Sequence, residues 1–196
     1  MLIFKKDRYE LFSIDIPSKK IFKIISNQIP NSIFSKLNFY FFKKISNKKI
    51  INIYCIKRNK EISSIVTTTT VDNYSNLKKE IITYLLFNPW IILQNLRFFV
   101  NSIKRDSNEI NNKDKKKYLH LLHFIVFKKK FSNLTLKKKD KIINFFLKEI
   151  VKKNDAKIFY LCYERNNFKA HNYYKRNNYY IYKQNEKVFF IRKRIL

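Results

Sequence analysis

The stretch N-F-K-A-H-N-Y-Y-K-R-N-N-Y, residues 167–179, decides the fold through what stands on either side of it. Before it comes I-F-Y-L-C-Y, residues 158–163, a short β-branched and aromatic run that predicts a strand. Before that strand, residues 137–153 carry Ile142, Ile143, Phe146, Leu147 and Ile150 at helical spacing, the stripe of an amphipathic helix. Asn154-Asp155 ends that helix. Residues 168–176 predict a short helix, and Asn178 a turn that releases the chain into a closing strand. The chain has no Gly, so a positive φ must fall to Asn, Asp or a strained residue. Asn59, Asn73, Asn133, Asn154 and Asn178 are the expected turn positions.

Working outward, Y-L-H-L-L-H-F-I-V-F, residues 118–127, is nearly all apolar, as a strand covered on both faces should be. Residues 50–56 and 62–71 are β-rich and flank a polar turn containing Asn59, which predicts a hairpin. Residues 17–27 have helical spacing with Ser18 as cap, and a second apolar-periodic piece covers 32–46. Residues 77–103 read as helix broken at Asn88-Pro89, since Pro disfavours helix at the residue before it. Residues 105–117 read as an exposed loop, and 179–184 with 187–195 as a hairpin around Asn185-Glu186. Residues 1–15 alternate charge with apolar side chains and lack the apolar core of a signal peptide. The order describes an α+β domain built on one mixed sheet.

At 196 residues one domain is expected, and a 45% hydrophobic, 17% aromatic composition excludes intrinsic disorder. The formal charge of +29 suggests nucleic acid or an anionic membrane as partner. Coding rich in adenine and thymine, an AT-rich genome, explains the same charge through abundant Lys, Asn, Ile, Phe and Tyr, and is preferred. Residues 84–100 are too short and too polar for a membrane span, so a cytoplasmic protein is expected. Cys55 and Cys162 sit in apolar runs and read as buried free thiols; no Cys/His cluster suggests a metal.

Asn167, Ala170, Tyr174, Asn178 and Tyr179 together resemble the ending N-x-x-A-x-x-x-Y-x-x-x-G-F of the GNAT acetyltransferases, with Asn178 for Gly and Tyr179 for Phe. The resemblance is best from residue 118 onward. It implies a single GNAT-like domain over residues 1–196, a mixed twisted sheet with splayed central strands flanked by helices, and a helical insert at about 77–103. Residues 77–103 and the early I-P-N-S-I-F-S-K-L-N-F also resemble a bacterial subgroup encoded among surface-polysaccharide genes. The implied activity is transfer of an acetyl group from acetyl-CoA to the amine of a small substrate, an amino sugar or amino acid derivative, by a monomer or homodimer.

By the same resemblance, Phe124, Ile125 and Val126 lie on the strand that pairs with the pantetheine arm. The pyrophosphate loop would be K-K-K-F-S-N-L-T-L-K-K-K, residues 128–139, in which the family glycines are replaced. Ser132, Asn133, Thr135, Lys137, Lys138 and Lys139 are its candidate contacts, with Asn167 near the coenzyme. Tyr174 matches the tyrosine that protonates the departing thiolate, a task a phenol neutral at pH 7 suits. His120 and His123 are candidate bases; standing three apart on a strand, they are expected on opposite faces. His171 is expected to be exposed, and Glu80, Glu109 and Glu164 are weaker candidates. Two alternatives stand beside this one. The missing glycines fit a GNAT-like binding module without catalysis. The interleaved Y-Y-K-R-N-N-Y-Y-I-Y-K fits a single-strand nucleic-acid binder, though no specific nucleic-acid motif is present.

Overall fold

A chain without glycine must place its backbone reversals on residues that carry a Cβ. In the computed structural model, which describes residues 1–30, 32–94, 118–184, 186 and 188–194, six such residues have positive φ. They are Asp7 (54°), Lys49 (55°), Asn59 (50°), Lys60 (66°), Asp155 (50°) and Asn178 (58°). Asn59 and Asn178 are where the sequence put them. Asn73 lies inside a helix instead, and Asn154 keeps a negative φ of −96° while Asp155 makes the reversal. Asn133 is not among the six either.

Asp7 turns β1 (Leu2–Lys6) into β2 (Tyr9–Ile14), a hairpin that the alternation in residues 1–15 reflects but that was not foreseen there. Tyr9 and Leu11 face inward from β2. Next come α1 (Lys19–Gln28), α2 (Ile33–Lys36) and α3 (Phe39–Asn47). The periodic piece 32–46 is thus two helices. Asn38 breaks it by accepting a hydrogen bond from the Phe41 amide (2.8 Å), the geometry of a fresh helix start. β3 (Asn52–Arg58) and β4 (Glu61–Thr70) form the expected hairpin, with Asn59 and Lys60 both left-handed at its tip. Thr70 caps α4 (Val71–Leu86) and α5 (Pro89–Gln94) follows; residues 95–103 of the expected helix and the expected loop 105–117 lie outside the described residues.

β5 (Tyr118–Val126) leads through a short 3-10 turn, Lys128–Phe131, to α6 (Leu136–Lys153). β6 (Ile158–Glu164), α7 (Phe168–Arg176), β7 (Tyr180–Gln184) and β8 (Val188–Arg194) complete the chain, with Asn185 of the expected closing turn outside the described residues. The eight strands form one mixed sheet in the order β1-β2-β3-β4-β5-β6-β8-β7. α6 and α7 cover one face, where Ile143, Phe146, Leu147 and Ile150 pack on Leu119, Leu121 and Phe159. α1, α3 and α4 cover the other face of the first strands through Ile25, Phe42, Ile45 and Leu77. Cys55 is buried there, and burial pushes its thiol up to about 12. Cys162, expected to be buried, is exposed: alternation along β6 turns it away from the core positions of Leu161 and Tyr163. Among the described residues no helix is long and apolar enough to cross a membrane.

Lys60 holds a left-handed conformation that costs a residue with a Cβ about 1–2 kcal/mol and glycine nothing comparable. Lys60→Gly creates the Asn-Gly tip favoured in two-residue hairpins. It should raise the melting temperature by about 2–4 °C per kcal/mol recovered, read by thermal unfolding. An unchanged or lower value would mean the turn is not left-handed.

Candidate active site

β5 and β6 run parallel and share three residue pairs, Tyr118 with Ile158, Leu119 with Phe159 and His120 with Tyr160. Beyond His120 they part, and among the described residues Leu121–Val126 have no strand partner on that side. This is the splay expected of the central strands. α7 lies at its mouth and touches both walls. The Tyr173 ring sits 5.5 Å from Phe124 of β5, and the Tyr174 ring sits 5.2 Å from Tyr163 of β6.

A buried carboxylate fixes α7 in that position. Asp140, on the first turns of α6, accepts from Arg176 Nε (3.1 Å) and Nη2 (3.0 Å) and from Asn177 Nδ2 (3.2 Å). Asn144, one turn further along α6, donates to Asn177 Oδ1 and accepts from the Tyr173 hydroxyl at 3.5 Å. A charge-assisted fork of this kind sets both distance and orientation between two helices. It was not foreseen. Its signal in the sequence is an acidic residue on the buried stripe of a helix start that is otherwise basic.

Tyr174, the expected acid, is 7% exposed and packs among Tyr163, Tyr173 and Tyr179. Burial pushes its phenol well above the ordinary value, and does the same to Tyr173. Both hydroxyls therefore keep their protons at any working pH.

The two strand histidines share a face, contrary to the simple alternation. Thr67 pairs with His123 but Thr68 pairs with Leu121, so Leu122 is an extra residue, a β-bulge. The bulge cancels one step of alternation, and His123 and His120 lie opposite Thr67 and Thr69 on one face of β4. His123 is 5% exposed, with Nδ1 2.7 Å from Thr67 Oγ1 and Nε2 2.6 Å from Ser32 Oγ. Burial, then the neighbouring His120, hold its pKa at about 3, so the ring is neutral. His120 is the last residue of β5 paired with β6, at the point where those strands part, with its ring edge-on to Tyr74 (4.5 Å) and Tyr160 (4.8 Å).

The weaker candidates sort quickly. Glu80 is bound by Lys44 (3.0 Å) and Lys48, hydrogen bonds that hold its carboxyl below the usual range. His171 is half-buried rather than exposed, with Nδ1 3.0 Å from the Tyr163 hydroxyl. Glu164 ends β6, and Glu109 lies outside the described residues. Among the described residues no cluster of His, Cys, Asp and Glu could hold a metal.

Of the candidate cofactor contacts, Phe124, Ile125 and Val126 lie on the part of β5 that pairs with β4 but no longer with β6. Thr135 caps α6 by accepting from the Lys138 amide (3.4 Å). Ser132 Oγ turns back to the Lys129 carbonyl (3.0 Å) beside Asn133 (3.2 Å). Lys137 and Lys138 are exposed, and Lys139 is half-buried with Nζ 6.0 Å from the Phe131 ring centre. Asn167 caps α7, its side-chain oxygen accepting from the Ala170 amide at 3.1 Å. The Tyr-rich segment considered for nucleic acid divides. Tyr174 and Tyr179 are in the core, while Tyr180 and Tyr182 lie exposed beside the Arg192 guanidinium, at 4.9 and 5.3 Å.

His123 has a lower pKa in the folded chain than its ordinary 6.5, so the unfolded chain binds the extra proton first. Stability should be complete above pH 6.5 and fall as pH drops from there toward 3. Chemical denaturation across that range should show the slope, and His123→Asn should flatten it; an equal slope in both proteins would place the ring elsewhere.

No family model matches the sequence, and no characterised protein matches it at the sequence level. The fold does match solved structures. The N-acetyltransferase PseH of Campylobacter jejuni in complex with acetyl coenzyme A aligns with a TM-score of 0.54 at 11% identity, covering 95% of this chain and 98% of that one. An acetyltransferase from Salmonella typhimurium that modifies the N-terminal serine of ribosomal protein L7/L12 aligns with a TM-score of 0.55 at 10% identity, covering 99% of both chains. A putative acetyltransferase of Acinetobacter baylyi gives 0.53 at 8% identity, with coverages of 95% and 92%. The splay, the single crossover helix between the parting strands and these alignments over nearly the whole chain agree: the protein has the fold of the GNAT N-acetyltransferases.

Proposed function

We propose that this chain is an acyl-CoA-dependent N-acyltransferase that acetylates the amine of a small molecule, an amino sugar or amino acid derivative. The observation that carries the proposal is the parting of β5 from β6 after His120 and Tyr160. A strand edge left without a partner is a place where an extended amide-bearing ligand can pair as a further strand would. The pantetheine arm of acetyl-CoA has that chemistry, and Phe124, Ile125 and Val126 are the positions it would meet. The amides of the first turn of α6 and the exposed Lys137 and Lys138 suit a diphosphate, since a helix start favours an anion. Lysines act there as point charges, without the close backbone approach that glycines permit.

Bound there, acetyl-CoA supplies the acetyl group as a thioester; the chain's own residues handle protons and orientation. Tyr174 is the proposed acid, because its ring lies against Tyr163 of β6 at the mouth of the splay, where a leaving sulfur needs a donor. His120 is the proposed base. His123 shares its face, but both of its nitrogens are engaged by Ser32 and Thr67 and its low basicity makes it a poor proton acceptor. His123 then serves to hold β5 against β4 and α2.

Acetyl-CoA at 100 times its Kd should stabilise the protein by about 2.7 kcal/mol, read as a rise in melting temperature. In an acetylation assay with a panel of small amines, Tyr174→Phe should lose turnover on the order of 10²-fold while the acetyl-CoA shift persists. Tyr173→Phe should change little and His120→Gln should abolish the acid limb of the pH profile. Equal turnover in the two tyrosine variants removes Tyr174 from the chemistry. A thermal shift with no acetylation of any amine favours a binding module.

Lys137, Lys138 and Lys139 replaced together by Ala should weaken acetyl-CoA binding at low salt. The difference from the parent should shrink as salt rises, because screening removes the same contribution. Equal affinities at low salt would leave the diphosphate without lysine partners.

A further inference from the structure

α4 and α5 are apolar on two sides, and the fold uses only one of them. On the inward side Leu77, Ile81 and Leu85 are buried in the core over the first strands, with Tyr84, Ile91 and Ile92 packed beside them. The outward side carries Ile82 and Leu86 one turn apart on α4, Phe87 at its C-cap, and Trp90 and Leu93 one turn apart on α5. These five are between 58% and 82% exposed. A helix that is apolar all round is expected to be buried all round. Asn88 fixes the junction, its amide donating to the Leu85 carbonyl (3.0 Å) and its side chain to the Tyr84 carbonyl (2.8 Å), so one short turn sets Phe87 and Trp90 together.

At about 150–250 Å² for a large side chain, the five present on the order of 600 Å². That is at the upper end of what a monomer leaves exposed in one apolar patch, and most of the ~800 Å² that each partner gives to a standard interface.

The same stretch is free of charge. Residues 81–94 contain no Asp, Glu, Lys or Arg, in a chain where 29% of residues are charged. Residues 118–127 are as free of charge, and they form a strand covered on both faces. This pattern separates the possible occupants. A helix that lies on a membrane carries Lys and Arg beside its apolar face, and residues 81–94 supply none. The centre of a protein interface is instead depleted of charge and enriched in Trp and Phe. Two copies of this chain, each with a formal charge of +29, repel wherever their lysines face one another. An uncharged face lets them meet without burying a cation.

We propose that the outward face of α4 and α5 joins two copies of this chain, the same patch of each packed on the other about a twofold axis. The contact is independent of the acyltransferase assignment.

Trp90 is the chain's only tryptophan, so its emission reports on this face directly. Sedimentation of the full chain should show a reversible monomer–dimer equilibrium. Over the same concentrations Trp90 emission should shift to the blue and resist acrylamide quenching. Added salt should strengthen the dimer, because screening weakens the repulsion between two cationic copies. Phe87→Lys puts a cation at a helix C-terminus, where the monomer tolerates it, and should raise the Kd of the dimer at least about thirtyfold. Phe168→Lys, at a similarly exposed aromatic of α7 across the sheet, should leave the equilibrium unchanged. A monomer at every concentration, a dimer that salt weakens, or a dimer that Phe87→Lys affects no more than Phe168→Lys would overturn the proposal. So would a monomer whose Trp90 is shielded at every dilution, which would mean that the chain covers this face itself. Partition of a monomer onto phosphatidylcholine vesicles would give the face to lipid and overturn it equally.

Discussion

β5 and β6 share three residue pairs, and past His120 and Tyr160 their backbones no longer pair. The rest of the open side depends on that change of partner. Two continuous strands would pair to their ends; here α7 sets Tyr173 against Phe124 and Tyr174 against Tyr163 at the mouth of the gap. The bulge at Leu122 falls just past the last pair and adds local twist to β5 where it turns away. Asp140 completes the arrangement by gripping Arg176 and Asn177, so the helix at the gap is tied to the helix that spans it. Removing one partner of a buried charged pair costs more than the pair itself contributes, which makes this grip a constraint on orientation.

Acidic residues are scarce beside the 43 Lys and Arg, and several are used where they fix geometry. Asp140 joins α6 to α7, and Glu80 joins α4 to Lys44 and Lys48 at the end of α3. The exposed pairs, such as Lys130 with Glu61, contribute little in water. Most of the positive charge is left on the surface, where it attracts anions at long range whatever their identity. Specific recognition then has to come from shaped sites. The splay with the start of α6 is the site proposed here for acetyl-CoA.

The absence of glycine leaves its mark on the turns. Asp7, Asn59 and Lys60 take the left-handed positions between β1 and β2 and between β3 and β4, where each carries a side chain. At the start of α6 a 3-10 turn and the Thr135 cap stand where the resemblance expects glycines, so the proposed diphosphate would be met by a capped helix and lysine side chains.

The strand and helix order was legible from residue 118 onward because periodicity there is strong: an apolar run, an 18-residue amphipathic helix, a second run and a short helix. Asn178 as a left-handed turn was legible too, since few residues other than glycine serve that position. The first hairpin was less so. Its inward positions are few and its turn, Asp7-Arg8, carries no Gly or Asn, so alternation alone had to signal it. Faces were the main casualty. Spacing sends His120 and His123 to opposite sides, but one unpaired residue, Leu122, reverses that, and a bulge is decided by pairing with β4 rather than by β5 itself. The local sequence therefore determined which elements form and where they end. Only the tertiary structure decided which side chains meet, because Asp140 finds Arg176 and Tyr9 finds Arg58 through strand order and helix packing, contacts whose partners lie tens of residues apart.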